Sequence, residues 1–415
     1  MVPNGWDRKS LAELCDKPVS YGIVQTGPRV EKGVPCLRVV DLTRREMSLG
    51  NMITTSPEIH QAYKRTTLEV GDIVMALRGE IGLAKLVDNE VAGANITRGL
   101  ARISANPERA LPEFLLWEIR SPDFRADLIR RVGGSALQEI SLSELRKTKT
   151  LVPPIEEQKK IAKILSTWDE AIATTEQLLA NSEQQKKALM QQLLTGKKRL
   201  PGFEGEWRQL SLTDIGDISS AGVDKKSDKN EMKVRLLNYL DVFRKEFIFN
   251  QELQHEVTAP DAKIASCDVR KGDVFFTPSS ETRDELAFPA VACETMPGVV
   301  YSYHVVRLRP KIKLDLNFSA YLFQTREFKR QAYRAGDGSG QRYVISQKAF
   351  RRMEVSVPSI SEQEAIGRVL RAASDEIIEL SQELDFLIEE KKALMQQLLT
   401  GKRRVKVDEA ERATA

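Results

Sequence analysis

The stretch Lys186–Lys197, KKALMQQLLTGK, recurs without a change as Lys391–Lys402, and both copies run on into basic pairs, Lys198-Arg199 and Arg403-Arg404. Twelve residues repeated in order within a chain of 415 mark a duplication, and self-similarity of this kind has to be read before any secondary structure is assigned. The same offset of 205 pairs Val152-Pro153 with Val357-Pro358, Glu157-Gln158 with Glu362-Gln363, Ile161 with Ile366 and Leu165 with Leu370. At an offset of 201, Trp6 pairs with Trp207, Ser10-Leu11 with Ser211-Leu212, and Gly71-Asp72 with Gly272-Asp273. Between these anchors, Ser20 to Arg65 and Ser219 to Ala262 share little. Each half is thus a variable module followed by a constant one, two copies of one scaffold presenting different surfaces.

The constant modules read as long helices. Proline suits a helix entrance and not its interior, so the first helix begins after Pro153-Pro154. Its seam is Ile161, Leu165, Trp168, Ile172, Leu179, Leu189 and Leu193, a heptad-like spacing. The second copy repeats it with Ile366, Leu370, Ile377, Leu384, Leu387, Leu394 and Leu398. Gly196 and Gly401 follow the last leucines, where glycine accepts the left-handed turn that ends a helix, and basic residues beside them complement the helix dipole. A helix of about 40 residues is about 60 Å long. An apolar stripe by itself describes an ordinary core helix equally well; length and duplication favour the pairing of the two helices with each other. Packed antiparallel, they form a coiled coil with an internal pseudo-two-fold axis and hold the two modules apart.

The variable modules read as α/β (α+β) with short strands. Ser10 to Glu13 and Ser211 to Asp214 resemble capping boxes, and Asp72–Leu77, Asp273–Phe276 and Tyr303–Leu308 read as strands. The predicted division is a first module at 1–152, a helix at 153–199, a linker at 200–207 rich in glycine and proline, a second module at 208–357, a helix at 358–404 and a charged tail at 405–415.

Composition excludes two classes. With 41% hydrophobic and 29% charged residues the chain has the apolar content of folded domains, and no run approaches the roughly 18 apolar residues of a membrane span. The start, MVPNGWDRKSLAELCD, has neither a secretory core nor a transit-peptide look, which places the chain in the cytoplasm. The four cysteines lack CxxC spacing and a histidine cluster, so no metal is expected. Sixty-three basic against 59 acidic residues leave a net charge of +4, compatible with a polyanion partner and not diagnostic of one.

The chemistry of catalysis is hard to find. Gly196-Lys197 lacks both the earlier glycine and the following Ser/Thr of a phosphate-binding loop. The Asn/Asp-Pro-Pro-Phe/Tyr tetrapeptide and glycine-rich cofactor loop of a DNA methyltransferase are missing, and three histidines, His60, His255 and His304, give acid/base chemistry little to work with. Binding features are better represented. Arg78-Gly-Glu80-Ile-Gly82 with Lys85, and Ser279-Ser280-Glu281-Thr282-Arg283, follow the two matching Gly-Asp strands. Read as loops, they set donors and acceptors against base edges; read blandly, they are solvated hairpin turns. A second pair, Gly133–Gln138 and Gly336–Tyr343 with Arg342, precedes the constant modules as connectors or phosphate contacts.

With both repeats laid out, the chain resembles the specificity subunit of a type I restriction-modification system, over essentially its whole length. The marks are Leu151-Val-Pro-Pro-Ile-Glu-Glu-Gln-Lys-Lys-Ile161 with Val355–Ile366, the twin LMQQLLTGK endings, and Gly202-Phe-Glu-Gly-Glu-Trp207 opening the second half; Ser359 departs from the proline at 154. The resemblance implies two target recognition domains, each reading one half of a split double-stranded DNA site. It implies helices that bind modification subunits, two of them, with restriction subunits joining through the complex. S-adenosylmethionine, ATP and Mg would then sit on those partners and no cofactor on this chain. The helices are expected to act as a ruler for the unread spacer. A rival of another class is a non-catalytic scaffold joining two protein-binding modules; a steep fall of affinity with salt would distinguish DNA binding from it.

Overall fold

The computed structural model describes residues 2–133, 138–225, 228–340 and 342–407, and its contacts divide it into two units, Met1–Thr175 with Glu383–Ala415, and Glu176–Gln382. The long helices run Ile155–Leu193 and Ile360–Leu398, 39 residues each. No helix among the described residues is long and apolar enough to cross a membrane.

In the first unit a four-stranded antiparallel sheet takes the order Cys15–Tyr21, Leu100–Ala105, Ile73–Ala76, Ala84–Leu86. A second sheet sets Val34–Leu37 between antiparallel Ile53–Thr55 and parallel Asn95–Ile96. The second unit repeats both. Gly216–Ser219, Val306–Pro310, Val274–Thr277 and Phe288–Ala292 form the antiparallel sheet, extended by Phe247–Ile248. Met232–Leu237 lies between antiparallel Glu256–Ala259 and parallel Met296–Tyr301, with Asp268–Val269 added at the edge. The strand expected at Tyr303–Leu308 begins only at Val306, because the chain turns at Tyr303-His304, with Val305 N donating to Ser302 O at 3.1 Å.

The two sequence offsets have a structural meaning. Asp7–Ser10 pairs antiparallel with Lys149–Val152, and Arg208–Ser211 with Glu354–Val357. The opening of each half is therefore laced to the strand that leads into its long helix. Asp7 faces Val152 as Arg208 faces Val357, offsets of 201 and 205, so the length difference lies inside the variable module. Both capping boxes form: Ser10 N donates to Glu13 at 2.8 Å and Ser211 N to Asp214 at 2.9 Å.

The Glu-Gln pair of the repeated signature fixes each helix start. Gln158 accepts from Leu111 N at 2.8 Å and donates to Pro153 O at 2.8 Å; Gln363 accepts from Asp315 N at 3.1 Å and donates to Pro358 O at 3.0 Å. Both side chains are buried, where an unpaired amide would be costly. Glu157 is bound by Arg404, and Glu362 by Arg199 at 2.5 and 2.7 Å. Within the first unit Asp169 also meets Lys391, and within the second Ser182 donates to Glu376 at 3.4 Å. Partner numbers fall as helix numbers rise, so the helix segments inside each unit run antiparallel.

Seam burial is uneven. Ile161, Leu165 and Leu398 are buried with Trp6, Phe114 and Trp117, and Leu193, Ile366 and Leu370 with Phe318 and Tyr321. Leu189 and Leu394 pack partly against these cores. Trp168, Ile172, Leu179, Ile377, Leu384 and Leu387 are only half-buried. The seam is most deeply buried where aromatic side chains of a module join the two helices, since one apolar seam alone covers little of a helix's circumference.

Candidate nucleic-acid interface

The strand Val34–Leu37 ends in Arg38, whose backbone N and Nε donate to Asp41 Oδ2 at 2.9 and 3.1 Å. This closes a single turn, Val39–Leu42, around a buried Asp41; the carboxylate beside it holds the Arg38 guanidinium above its ordinary range. The turn sends Val40 outward, 51% exposed, while Val39 is half-buried against the core and lines the cleft described next. The second unit builds the same device after Met232–Leu237. Asn238 N donates to Asp241 at 2.8 Å, Tyr239 N donates to Asn238 Oδ1 at 2.8 Å, and the turn presents Tyr239 and Leu240, the latter 74% exposed.

In the first unit this turn borders an open cleft of about 700 Å³ that Arg38, Arg78, Arg98 and Gln138 also line. Arg78 bridges Glu139, and so does Gly133, so the segment after the Gly-Asp strand and the segment before the constant module are brought together. Gly99 makes room for Arg78: a Cβ there would stand 2.9 Å from Arg78 Nε and 3.0 Å from Val39 Cγ2. Residues 134–137 of the expected connector lie outside the described residues, as does Gln341 of its counterpart.

The same joining occurs in the second unit, and it corrects the loop reading. Ser279–Ser280 is a strand paired with Tyr343 and Val344, and Arg342–Ile345 pairs in turn with Gly336–Ser339. Backbone supplied by the glycine-rich segment turns a supposed loop and a supposed connector into one three-stranded sheet. Arg342 Nη2 donates to Ser279 Oγ at 3.1 Å, and Ser280 Oγ donates to Glu285 at 3.1 Å. The Glu285 carboxyl is held below the usual range by Arg244. The Arg283 guanidinium carbon lies 4.9 Å from the Tyr343 ring centroid. Thr282 N donates to Ser280 Oγ at 3.4 Å, while Glu80 and Glu281 are exposed.

Lys85 does not join the cluster. It stands on the strand Ala84–Leu86 and its amine donates to the backbone carbonyls of Arg44 and of Arg45, the latter at 2.9 Å. Burial lowers its pKa, with Arg120 adding to the effect. Sequence reading missed the turns at 38–42 and 238–242. Leu37 with Leu237 and Asp41 with Asp241, an offset of 200, were the available signal. Among the described residues no group of three or more histidine, cysteine or acidic side chains is arranged to hold a metal.

The surroundings of the two turns align residue by residue. Ile23 bridges Thr97 as Val223 bridges Ser302, both parallel, which sets Arg98 and Gly99 against Tyr303 and His304. Behind them Arg102 donates to the carbonyls of Arg65 and Thr67 at 2.8 Å, and Arg307 to that of Asp268 at 2.8 Å. The scaffold is kept while the outward residues change.

Comparison with known proteins agrees with this duplication. A family model described as the type I restriction modification DNA specificity domain matches residues 3–184 and again 204–390. The EcoBI specificity subunit of Escherichia coli is 30% identical over 165 residues, 39% of this chain and 35% of its own length. The MjaVIII specificity subunit of Methanocaldococcus jannaschii is 26% identical over 285 residues, 66% of each chain. A putative MjaX specificity subunit of the same organism is 22% identical over 429 residues, 98% of this chain and 95% of its own. The chain thus spans about a third of the EcoBI subunit and just under two thirds of the MjaVIII subunit. In fold it is similar to the HsdS subunit from Thermoanaerobacter tengcongensis, with a TM-score of 0.50 at 19% identity, covering 97% and 98% of the two chains. The S subunit from M. genitalium gives 0.59 at 14%, covering 96% and 98%. With the two matched segments taking in both variable modules and most of both long helices, the chain belongs to the type I restriction modification DNA specificity domain family.

Proposed function

We propose that this chain is the DNA-specificity subunit of a type I restriction-modification complex, with each unit reading one half of a bipartite duplex site. The observation that carries the reading is the repetition of one scaffold with exchanged surface chemistry, Arg38-Val39-Val40 in one unit against Asn238-Tyr239-Leu240 in the other. Two like frames with unlike contact residues suit two unlike half-sites. Guanidinium groups such as Arg78 and Arg98 serve phosphates or guanine edges, and exposed apolar side chains serve the thymine methyl.

In this reading the chain carries no catalytic residue. Two modification subunits supply methyl transfer from S-adenosylmethionine, and restriction subunits supply the ATP- and Mg-dependent steps. The paired helices dock the modification subunits, and their equal length of 39 residues sets the spacer. The chain's place of work is the cytoplasm, and its natural divisions are the modules at 1–152 and 208–357 with a helix after each.

The test is expression of the full chain with its modification subunit in a host free of DNA methylation, followed by mapping of modified adenines. A motif of two short specified halves across a fixed gap is expected. A soluble, assembled complex that methylates nothing, or a motif with a single half, would contradict the reading. One heptad added to both helices should lengthen the gap and leave both halves unaltered.

A further inference from the structure

We infer that the one-turn elements at Val39-Val40 and Tyr239-Leu240 are the base-reading elements of the two units, with the residue pairs Arg98-Gly99 and Tyr303-His304 beside them. The inference rests on the proposed specificity role and deepens it, naming positions where the sequence had pointed to the segments after the Gly-Asp strands.

Three observations carry it. First, each turn is a rigid mount: Asp41 or Asp241 closes it from behind, and the strand before it is central in its sheet. Base contacts need side chains held on such supports. Second, the mounts carry apolar side chains into solvent, 51% exposed for Val40 and 74% for Leu240. Third, the neighbouring positions vary in a compensating way. The first unit has Arg78 lying against Gly99. The second has Ser279 and His304 at those places, with the Tyr303 and His304 rings 3.9 Å apart. The large and the small residue thus change places between the units, so the chemistry beside the turn is replaced.

The chemistry differs accordingly. In the first unit two valines with flanking guanidinium groups fit a step that offers a thymine methyl beside the O6 and N7 acceptors of guanine. In the second unit the counterparts of Arg78 and Arg98 are Ser279 and Tyr303; Ser279 is buried and accepts from Arg342 at 3.1 Å, so a guanidinium reaches this place from another strand and the Arg98 position offers an aromatic hydroxyl instead.

The experiment is methylome mapping of the full chain with its modification subunit, comparing wild type with Val40→Asn, Arg98→Ala and Leu240→Asn. All three side chains stand at the surface or line the open cleft. Val40→Asn and Arg98→Ala are expected to lower discrimination at one or two positions of one half-motif by about 10-fold or more, leaving the other half and the gap alone. Leu240→Asn is expected to alter the opposite half only. Both halves unchanged in all three variants would overturn the inference, as would a uniform fall in methylation with no change of motif, which marks a backbone contact. A wild-type chain that yields no split motif would instead overturn the proposed function beneath it.

Discussion

Arg404, just beyond the second long helix, donates through Nε to Glu157 Oε2 at 2.8 Å in the first turn of the first long helix, and its guanidinium carbon lies 5.6 Å from the ring centroid of Trp6. Its copy, Arg199, binds Glu362 and lies 5.9 Å from Trp207. Each identical ending is thus fastened to the signature of the other half, which is why both stretches are repeated so closely.

Removing either arginine strands a carboxylate that is largely out of water, at a cost of about 1–3 kcal/mol. The Glu362 side chain is 1% exposed and that of Glu157 9%. Arg199→Ala therefore lowers stability more than Arg404→Ala in equilibrium urea unfolding; the reverse order would contradict the burial argument.

Glu118 is a buried polar feature that the duplication lacks elsewhere. Its carboxyl meets Thr150, among the described residues its Oε1 has no hydrogen-bond partner, and burial lifts its pKa to about 8. The counterparts in the second unit are Leu322 and Val355, both apolar. An acid whose folded pKa is raised stays neutral in the folded chain while the unfolded chain ionises, so stability falls as pH climbs from about 4.5 to about 8. At about 1.4 kcal/mol per pKa unit the loss amounts to a few kcal/mol. Glu118→Leu should flatten this part of the stability profile; an unaltered pH dependence would show that Glu118 is not its source.

Gly22 and Gly222 stand before the parallel bridges that fix Thr97 and Ser302. A Cβ on Gly22 would collide with the Ile96 carbonyl, and one on Gly222 with the backbone of Ser302. Backbone cannot swing aside as a side chain does, so Gly22→Ala and Gly222→Ala should each lower the melting temperature by several degrees, far more than Gly133→Ala, whose added Cβ meets nothing within 4 Å and whose φ is not positive. Equal effects of all three would refute the close approach.

Lys85 and Arg78 should separate in binding assays on the assembled complex. Arg78→Ala is expected to weaken DNA binding and reduce the salt slope by about one. Lys85→Met, which removes donors from the carbonyls of Arg44 and Arg45, is expected to leave the slope unchanged and lower stability. A salt slope altered by Lys85→Met would return that lysine to the interface.

The duplication, the helices and the capping boxes were legible because they rest on local rules: proline at an entrance, glycine at an exit, a serine three residues ahead of an acid. Ser279-Ser280 was not, since its strand exists only through backbone offered by Gly336–Ile345, more than fifty residues away. Lys85 looked like a DNA contact because nothing in the sequence shows that two distant carbonyls claim its amine. The base-reading turns escaped notice because the shared signal is sparse, a leucine and an aspartate at an offset of 200, and because the residues that matter there differ between the halves.

The central claim is that each unit reads its own half-site, and it is tested most directly by replacing residues 216–353 with a second copy of residues 15–148. The laced strands, the Glu-Gln pairs and the arginine clasps would all be kept. Mapped with the modification subunit, the resulting complex should methylate a palindromic motif whose two halves are inverted copies of the half-site of the first unit, separated by a fixed gap. A soluble, assembled complex that still methylates the original unlike halves would contradict the account.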